Sequence, residues 1–445
     1  MATYALVNTE VPGPESRRIW NKEKAHIASG LAECTTLCPV IFREGKGSIL
    51  TDVDGNRYID LAAGVLTNSC GHCHPTIASR LKTQIDSLWH IHDFPNQERW
   101  RLNEKLNEKT PSGIDTFEYY TGGTETIEAA MRAAISYTGR YEFISFHGGY
   151  HGKTLGSRSL TRWWWNGFGP AVSGIRMPFA YCYRCSFKAE YPSCGVLCAD
   201  YIEEAVRNNS TGSVAAVVFE PILGAGGVVI PPEEFLRKIV DYCRRRDILI
   251  IADEVLTGVG RTGKFFAIEH FDIQPDLMAF GKGLGSGFPV MALAGKAEIM
   301  NASPFGEPGG ASTSFGGNPL GTAAALATVE TIDAEHVVEH VRRMSAIVET
   351  RLAAMREKHP LIGDVRGIGL LWGMEFVKDR ATKEPATEEG REVFLEAMRH
   401  GVKTLTPGAL CRISPPLNIP EDVLQEGLEV FDRCIERVER RFHYL

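Results

Sequence analysis

Lys282 stands in Asp276-Leu277-Met278-Ala279-Phe280-Gly281-Lys282-Gly283, just beyond a short apolar run. Asp253 and Glu254 close another such run, Ile248-Leu249-Ile250-Ile251-Ala252. An amine and a carboxylate, each at the end of a buried strand, are the groups that pyridoxal phosphate chemistry needs. The lysine can form a Schiff base with the aldehyde. The carboxylate can keep the ring nitrogen protonated, so that the ring withdraws electrons. Taken singly, a lysine or an aspartate is more often a solvated surface charge. Position separates these from the rest.

The elements that must position them alternate between strand-like and helix-like stretches from about residue 115 to 325. Residues 143–146, 214–219, 248–252, 277–280 and 290–294 read as strands, and 214–219 is apolar throughout, as in a strand buried on both faces. Pro231-Pro232-Glu233-Glu234 signals a helix start before Phe235, Leu236, Ile239, Val240 and Cys243 at helical spacing. Such alternation predicts a mostly parallel sheet covered by helices. Ligands bind such sheets outside the carboxyl ends of the strands, and Glu220, Asp253 and Lys282 all fall at or just past such ends.

Tyr120-Thr121-Gly122-Gly123-Thr124-Glu125 precedes a helical stretch at 126–136. Glycines there let backbone N–H groups approach a phosphate, which the helix dipole also favours. Thr124 could add a hydroxyl, or it could simply cap the helix. In His147-Gly148-Gly149-Tyr150-His151-Gly152 the glycines argue against a helix, so the two histidines are not a metal pair. Tyr150 reads as an aromatic covering a cofactor ring, or else as a core tyrosine. Gly258-Val259-Gly260-Arg261-Thr262-Gly263-Lys264 is followed by Phe265 where a P-loop needs Ser or Thr, so nucleotide hydrolysis is excluded.

The 445 residues suffice for two or three structural units. A net charge of −7 without a basic stripe gives no reason to expect nucleic acid. Residues 1–20 hold no apolar signal segment and no run approaches a membrane span, so a cytoplasmic protein is expected. Of eleven cysteines, four form Cys182-x-x-Cys185 and Cys194-x-x-x-Cys198, and Cys70 and Cys73 form a second close pair. The four-cysteine spacing is loosely zinc-like. Reduced cysteines in a cytosolic loop are the plainer reading, and no metal is assigned. An Asp54-Gly55 turn between apolar runs predicts a hairpin. A small-residue helix at 320–329 leads to a second unit, with a strand at 370–376 and a helix at 421–440. The expected division is 1–66 and 326–445 for a smaller domain and 67–325 for a larger one.

With these motifs, the chain from Gly45 to Ile435 resembles the class III pyridoxal-phosphate aminotransferases, the group that includes 4-aminobutyrate and ornithine aminotransferases. The resemblance is carried by Ile250-Ile251-Ala252-Asp253-Glu254-Val255, Thr257-Gly258, Gly260-Arg261-Thr262-Gly263 and the distance to Lys282. It implies an α/β, fold-type I homodimer with active sites at the subunit interface, a mostly parallel central sheet, and a smaller α+β domain from the N- and C-terminal segments. It implies that Lys282 is the Schiff-base lysine and Asp253 the partner of the ring nitrogen. Tyr150 and Val255 would flank the ring, and Gly123 and Thr124 would hold the phosphate. Ser314 would reach the phosphate of the neighbouring subunit. Val65 would line the substrate pocket, Arg412 would clamp a substrate carboxylate as a fork, and Glu220 would pair with Arg412 when no such carboxylate is bound. The chain departs from the family at Leu223 and Leu256, where glutamine is frequent, and at Lys153, where 4-aminobutyrate enzymes place arginine. The implied reaction moves an amino group from an amine or amino acid, with an ω-amino donor favoured, to a 2-oxoacid such as 2-oxoglutarate or pyruvate. A racemase or epimerase using the same lysine is the alternative, and a non-catalytic protein of this fold with a cysteine metal site is a remote one.

Overall fold

The structure, a computed structural model, describes residues 3–161 and 174–445. The chain forms two compact units, Thr76–Glu335 and Met1–Pro75 with His336–Leu445. The first is built on a seven-stranded sheet. Thr116–Tyr120 forms one edge, followed across the sheet by Met291–Gly295, Leu277–Phe280, Leu249–Glu254, Val214–Phe219, Glu142–Phe146 and Gly174–Met177. Only Met291–Gly295 runs antiparallel to its neighbours. The four strands from Leu277–Phe280 to Glu142–Phe146 are mutually parallel. Their continuous apolar runs follow from burial on both faces, and the three strands Val214–Phe219, Leu249–Glu254 and Leu277–Phe280 are buried at every position.

The faces are covered as the spacing requires. The helix Gly123–Thr138 turns Ile127, Ala130 and Ala134 into a core shared with Ala216, Val218, Ile251 and Ala279. Small alanines let it lie close to the strands. The helix Glu233–Arg244 buries Phe235, Leu236, Ile239, Tyr242 and Cys243. The Phe235 ring packs against Phe146 and Phe179 at centroid distances of 5.6 and 4.9 Å, in edge-to-face pairs. The small-residue helix runs from Pro319 to Ala334, five residues beyond the expected 329, and Asn318 caps its start by accepting the Gly321 N–H at 2.8 Å.

The second unit joins both chain ends. Phe42–Lys46, Ile49–Asp52 and Arg57–Asp60 form an antiparallel meander, and Val402–Lys403 adds a parallel strand. The expected hairpin closes at Gly55, whose φ of +85° suits glycine. The strand expected at 370–376 is Leu371–Asp379, and it pairs with Ile362–Ile368, which no sequence signal announced. The helix Glu421–Arg441 is fastened by His359. This fully buried imidazole meets Glu439 Oε2 at 2.6 Å and Asp432 Oδ1 at 2.7 Å. Burial pushes the imidazole down, but hydrogen bonds to the two carboxylates outweigh it and hold it above the usual value. Among the described residues, no helix is long and apolar enough to cross a membrane.

His359→Ala takes the imidazole from the fully buried Glu439 and leaves Asp432 with Lys358, so we expect a loss of about 3 kcal/mol in urea unfolding near pH 6. A pKa raised in the folded state stabilises fully below the unfolded value of about 6.5 and ceases to do so as pH rises through the folded value. The gap between wild type and variant should therefore narrow toward alkaline pH.

Candidate active site

Four neighbouring parallel strands end at one edge, and each delivers a polar group there. Phe219 pairs with Ala252 and Asp253 with Ala279, which sets Glu220, Asp253 and the turn to Lys282 at the ends of successive strands. Tyr150 and His151 follow Glu142–Phe146, the strand beside Val214–Phe219. The pattern comes from the apolar runs themselves. Each apolar run carries its strand through the core to this edge, and Glu220 and Asp253 stay buried there.

Asp253 is buried, and its carboxylate is fully engaged. Oδ2 lies 2.7 Å from His151 Nδ1, and Oδ1 accepts the Val255 N–H at 3.1 Å. Burial pushes the His151 imidazole down, while its hydrogen bond to Asp253 and the aspartate charge raise it above the ordinary value. Glu220 is buried too, and burial and the nearby Asp253 charge push its carboxyl up to about 7. Burial likewise drives Glu254 up to about 7, although Thr257 and the Ile268 N–H donate to it. Of three crowded carboxylates, only Asp253 has an imidazole.

Lys282 begins a tight turn at φ +44°, and its N–H donates to Met291 Sδ at 3.3 Å. Gly123 and Thr124 open the sixteen-residue helix, which no side chain caps. Thr124 Oγ1 accepts the Lys153 N–H at 2.9 Å and faces Ser157 Oγ at 3.1 Å. Gly152 makes this possible: at φ +136°, an added Cβ would fall 1.6 Å from Thr124 Oγ1. A Cβ on Gly122 would meet nothing within 4 Å, so open space lies before the helix start. Uncapped N–H groups, a hydroxyl and that space fit a phosphate. A buried carboxylate fits a pyridinium nitrogen. The residues present thus suit pyridoxal phosphate.

Contacts knit most of the expected residues together. Val255 flanks Gly123, and Tyr150 donates its N–H to Glu220 Oε1 at 2.9 Å. Tyr150 and Val255 are half-buried, while the Lys153 side chain is exposed. Ser314 is exposed on a loop of the same unit. Val65 and Arg412 belong to the other unit. Asp60 shapes the turn before Val65 by accepting the Ala62 and Gly64 N–H groups at 2.9 and 3.1 Å. Arg412 is buried on Leu410–Ile413, opposite Gly373. Leu223 and Leu256 are buried. Cys182, Cys185, Cys194 and Cys198 line one pocket, but among the described residues no three His, Cys, Asp or Glu side chains stand where they could hold a metal ion.

His151 and Ser157 were not legible as site residues. The partner of His151 lies 102 positions downstream, so no local spacing announces it.

Comparison with known proteins agrees with this geometry. The family model for class-III aminotransferases matches residues 32–435. A 4-aminobutyrate aminotransferase of Mycobacterium leprae (strain TN) is 36% identical over 442 residues, covering 96% of this chain and 97% of that protein. A leucine/methionine racemase of Thermococcus litoralis is 35% identical, covering 92% and 93%. The crystal structure of the ω-transaminase from Pseudomonas jessenii in complex with PMP superposes with a TM-score of 0.89 at 30% identity, covering 94% and 98%.

His151→Leu leaves Asp253 with the Val255 N–H alone. We expect the variant to fold but to bind pyridoxal phosphate about 10- to 100-fold more weakly, since a hydrogen bond to a charged group contributes about 1.5–3 kcal/mol. Titration of the stripped enzyme with cofactor measures this.

Proposed function

Since this chain belongs to the class-III aminotransferases, pyridoxal-phosphate enzymes that transfer amino groups, we propose that its donor is an ω-amino compound or a related amine or amino acid and its acceptor a 2-oxoacid such as 2-oxoglutarate or pyruvate. One observation carries the site assignment. The buried Asp253, hydrogen-bonded to His151, lies near the end of the strand beside the one that leads to Lys282.

Pyridoxal phosphate, when bound, supplies a carbonyl that condenses with amines and a ring that takes up negative charge from the amine-bearing carbon. Asp253 holds the proton on the ring nitrogen, and His151 holds Asp253. The Gly123 and Thr124 N–H groups and the Thr124 hydroxyl bind the phosphate. Tyr150 and Val255 bracket the ring and exclude water from its faces. Lys282 Nζ would hold the cofactor and would serve as the base that moves a proton at the donor carbon. Arg412 receives the carboxylate of the oxoacid, Val65 lines the substrate pocket, and Glu220 and Lys153 complete the substrate contacts. The similarity to 4-aminobutyrate aminotransferase supports the ω-amino donor.

A homodimer follows from the same reading, with Ser314 serving the phosphate of the second copy. Beside Ser314, Phe315 is 60% exposed and lies 5.0 Å from the His90 ring, in a region that also exposes Trp89, Phe94 and Trp100.

The racemase relative keeps a second reading in play, in which Lys282 returns the proton to the same carbon. The two are told apart by supplying the enzyme with a panel of amines and amino acids, first without any oxoacid. Release of one equivalent of carbonyl product per site, with turnover only after a 2-oxoacid is added, supports transfer and names the donor. Inversion of a chiral amino acid with solvent hydrogen uptake and no carbonyl product would sink it. Lys282→Ala should lower either turnover by about 10⁴-fold or more, because nucleophile and proton carrier are lost together.

A further inference from the structure

Resting on the reading above, we infer that Glu220 is a positioning residue that sets the aromatic cover of the cofactor before any substrate arrives, by clamping the main chain of Tyr150 to the loop after Val214–Phe219. The carboxylate is only 3% exposed, and each oxygen already holds a backbone donor. Tyr150 N–H reaches Oε1 at 2.9 Å, and Gly224 N–H reaches Oε2 at 2.8 Å. The two donors come from segments separated by some seventy residues, so this side chain ties together turns that no sheet hydrogen bonds join.

Both turns are shaped to accept the clamp. The loop after Glu220 closes on itself through paired backbone bonds between Leu223 and Val229, at 3.1 and 3.0 Å. Leu223 then fills the space beside Gly148, where an added Cβ would stand 3.1 Å from Leu223 Cδ1. The Gly148–Tyr150 turn is thus gripped by an apolar contact on one side and by a carboxylate on the other. Removing this buried side chain would leave two backbone N–H donors without an acceptor, which is the costly case. A substrate-side cation must share a carboxylate whose two oxygens already hold the Tyr150 and Gly224 N–H groups.

The test uses the holoenzyme without substrate. Glu220→Gln keeps the shape but turns an NH2 group toward one of the two N–H donors, and Glu220→Ala removes both acceptors. We expect both variants to hold pyridoxal phosphate about tenfold or more weakly and to lose much of the visible circular dichroism of the bound cofactor. KM for donor and acceptor should change no more than kcat. Wild-type cofactor affinity and dichroism in both variants, with only a substrate KM raised, would overturn the inference. Wild-type enzyme that binds no pyridoxal phosphate would instead overturn the proposed function. Should the variants not fold, hydrogen exchange of the wild-type segment 147–152 decides: slow exchange supports the clamp, and exchange at the rate of an open loop refutes it.

Discussion

A carboxylate buried at the end of an apolar sheet must find a positive partner or give up its charge. At Asp253 that partner is His151, and much of the site follows from the pairing. The imidazole draws the 147–152 turn over the sheet edge, which brings Tyr150 beside Glu220 and Lys153 beside Thr124. It also chooses among rivals. Glu220 and Glu254 lie close by, and burial lifts both to about 7. Of the three, only Asp253 has a direct hydrogen bond to the imidazole, and it is the one we assign to the ring nitrogen.

The sheet supplies what the pairing cannot. Parallel register carries Phe219, Ala252 and Met278 to the same level, so residues scattered over more than a hundred positions emerge together at one edge. The antiparallel strand Met291–Gly295 returns beneath the Lys282 turn, and Met291 supports that turn directly. The proposed phosphate site is built the same way. A helix start is left without a side-chain cap, and a glycine lets the hydroxyl of Thr124 lie close to the neighbouring turn.

The strands were legible because burial on both faces leaves long apolar runs, and Val214–Phe219 and Leu277–Phe280 fall where those runs predict. Ends of strands were legible too, since Glu220, Asp253 and Lys282 each interrupt such a run. Ile362–Ile368 was not, because Gly363, Asp364, Arg366 and Gly367 break the apolar pattern and only pairing with Leu371–Asp379 makes it a strand. His151 was hidden for a related reason: a tertiary partner leaves no trace in local spacing. The Asp60 cluster behind Val65 was equally silent. Its carboxylate is fully buried, and Lys403 and His72 together outweigh the effect of burial and hold it well below the usual range.

The most direct measurement is to incubate the purified protein with pyridoxal phosphate, treat it with borohydride, and map the added mass by peptide sequencing in a mass spectrometer. A single modified residue at Lys282, lost in Lys282→Ala and diminished in Asp253→Asn, is the expected result. Label on another lysine, or none at saturating cofactor, would contradict the assignment of the two strand ends as the cofactor site.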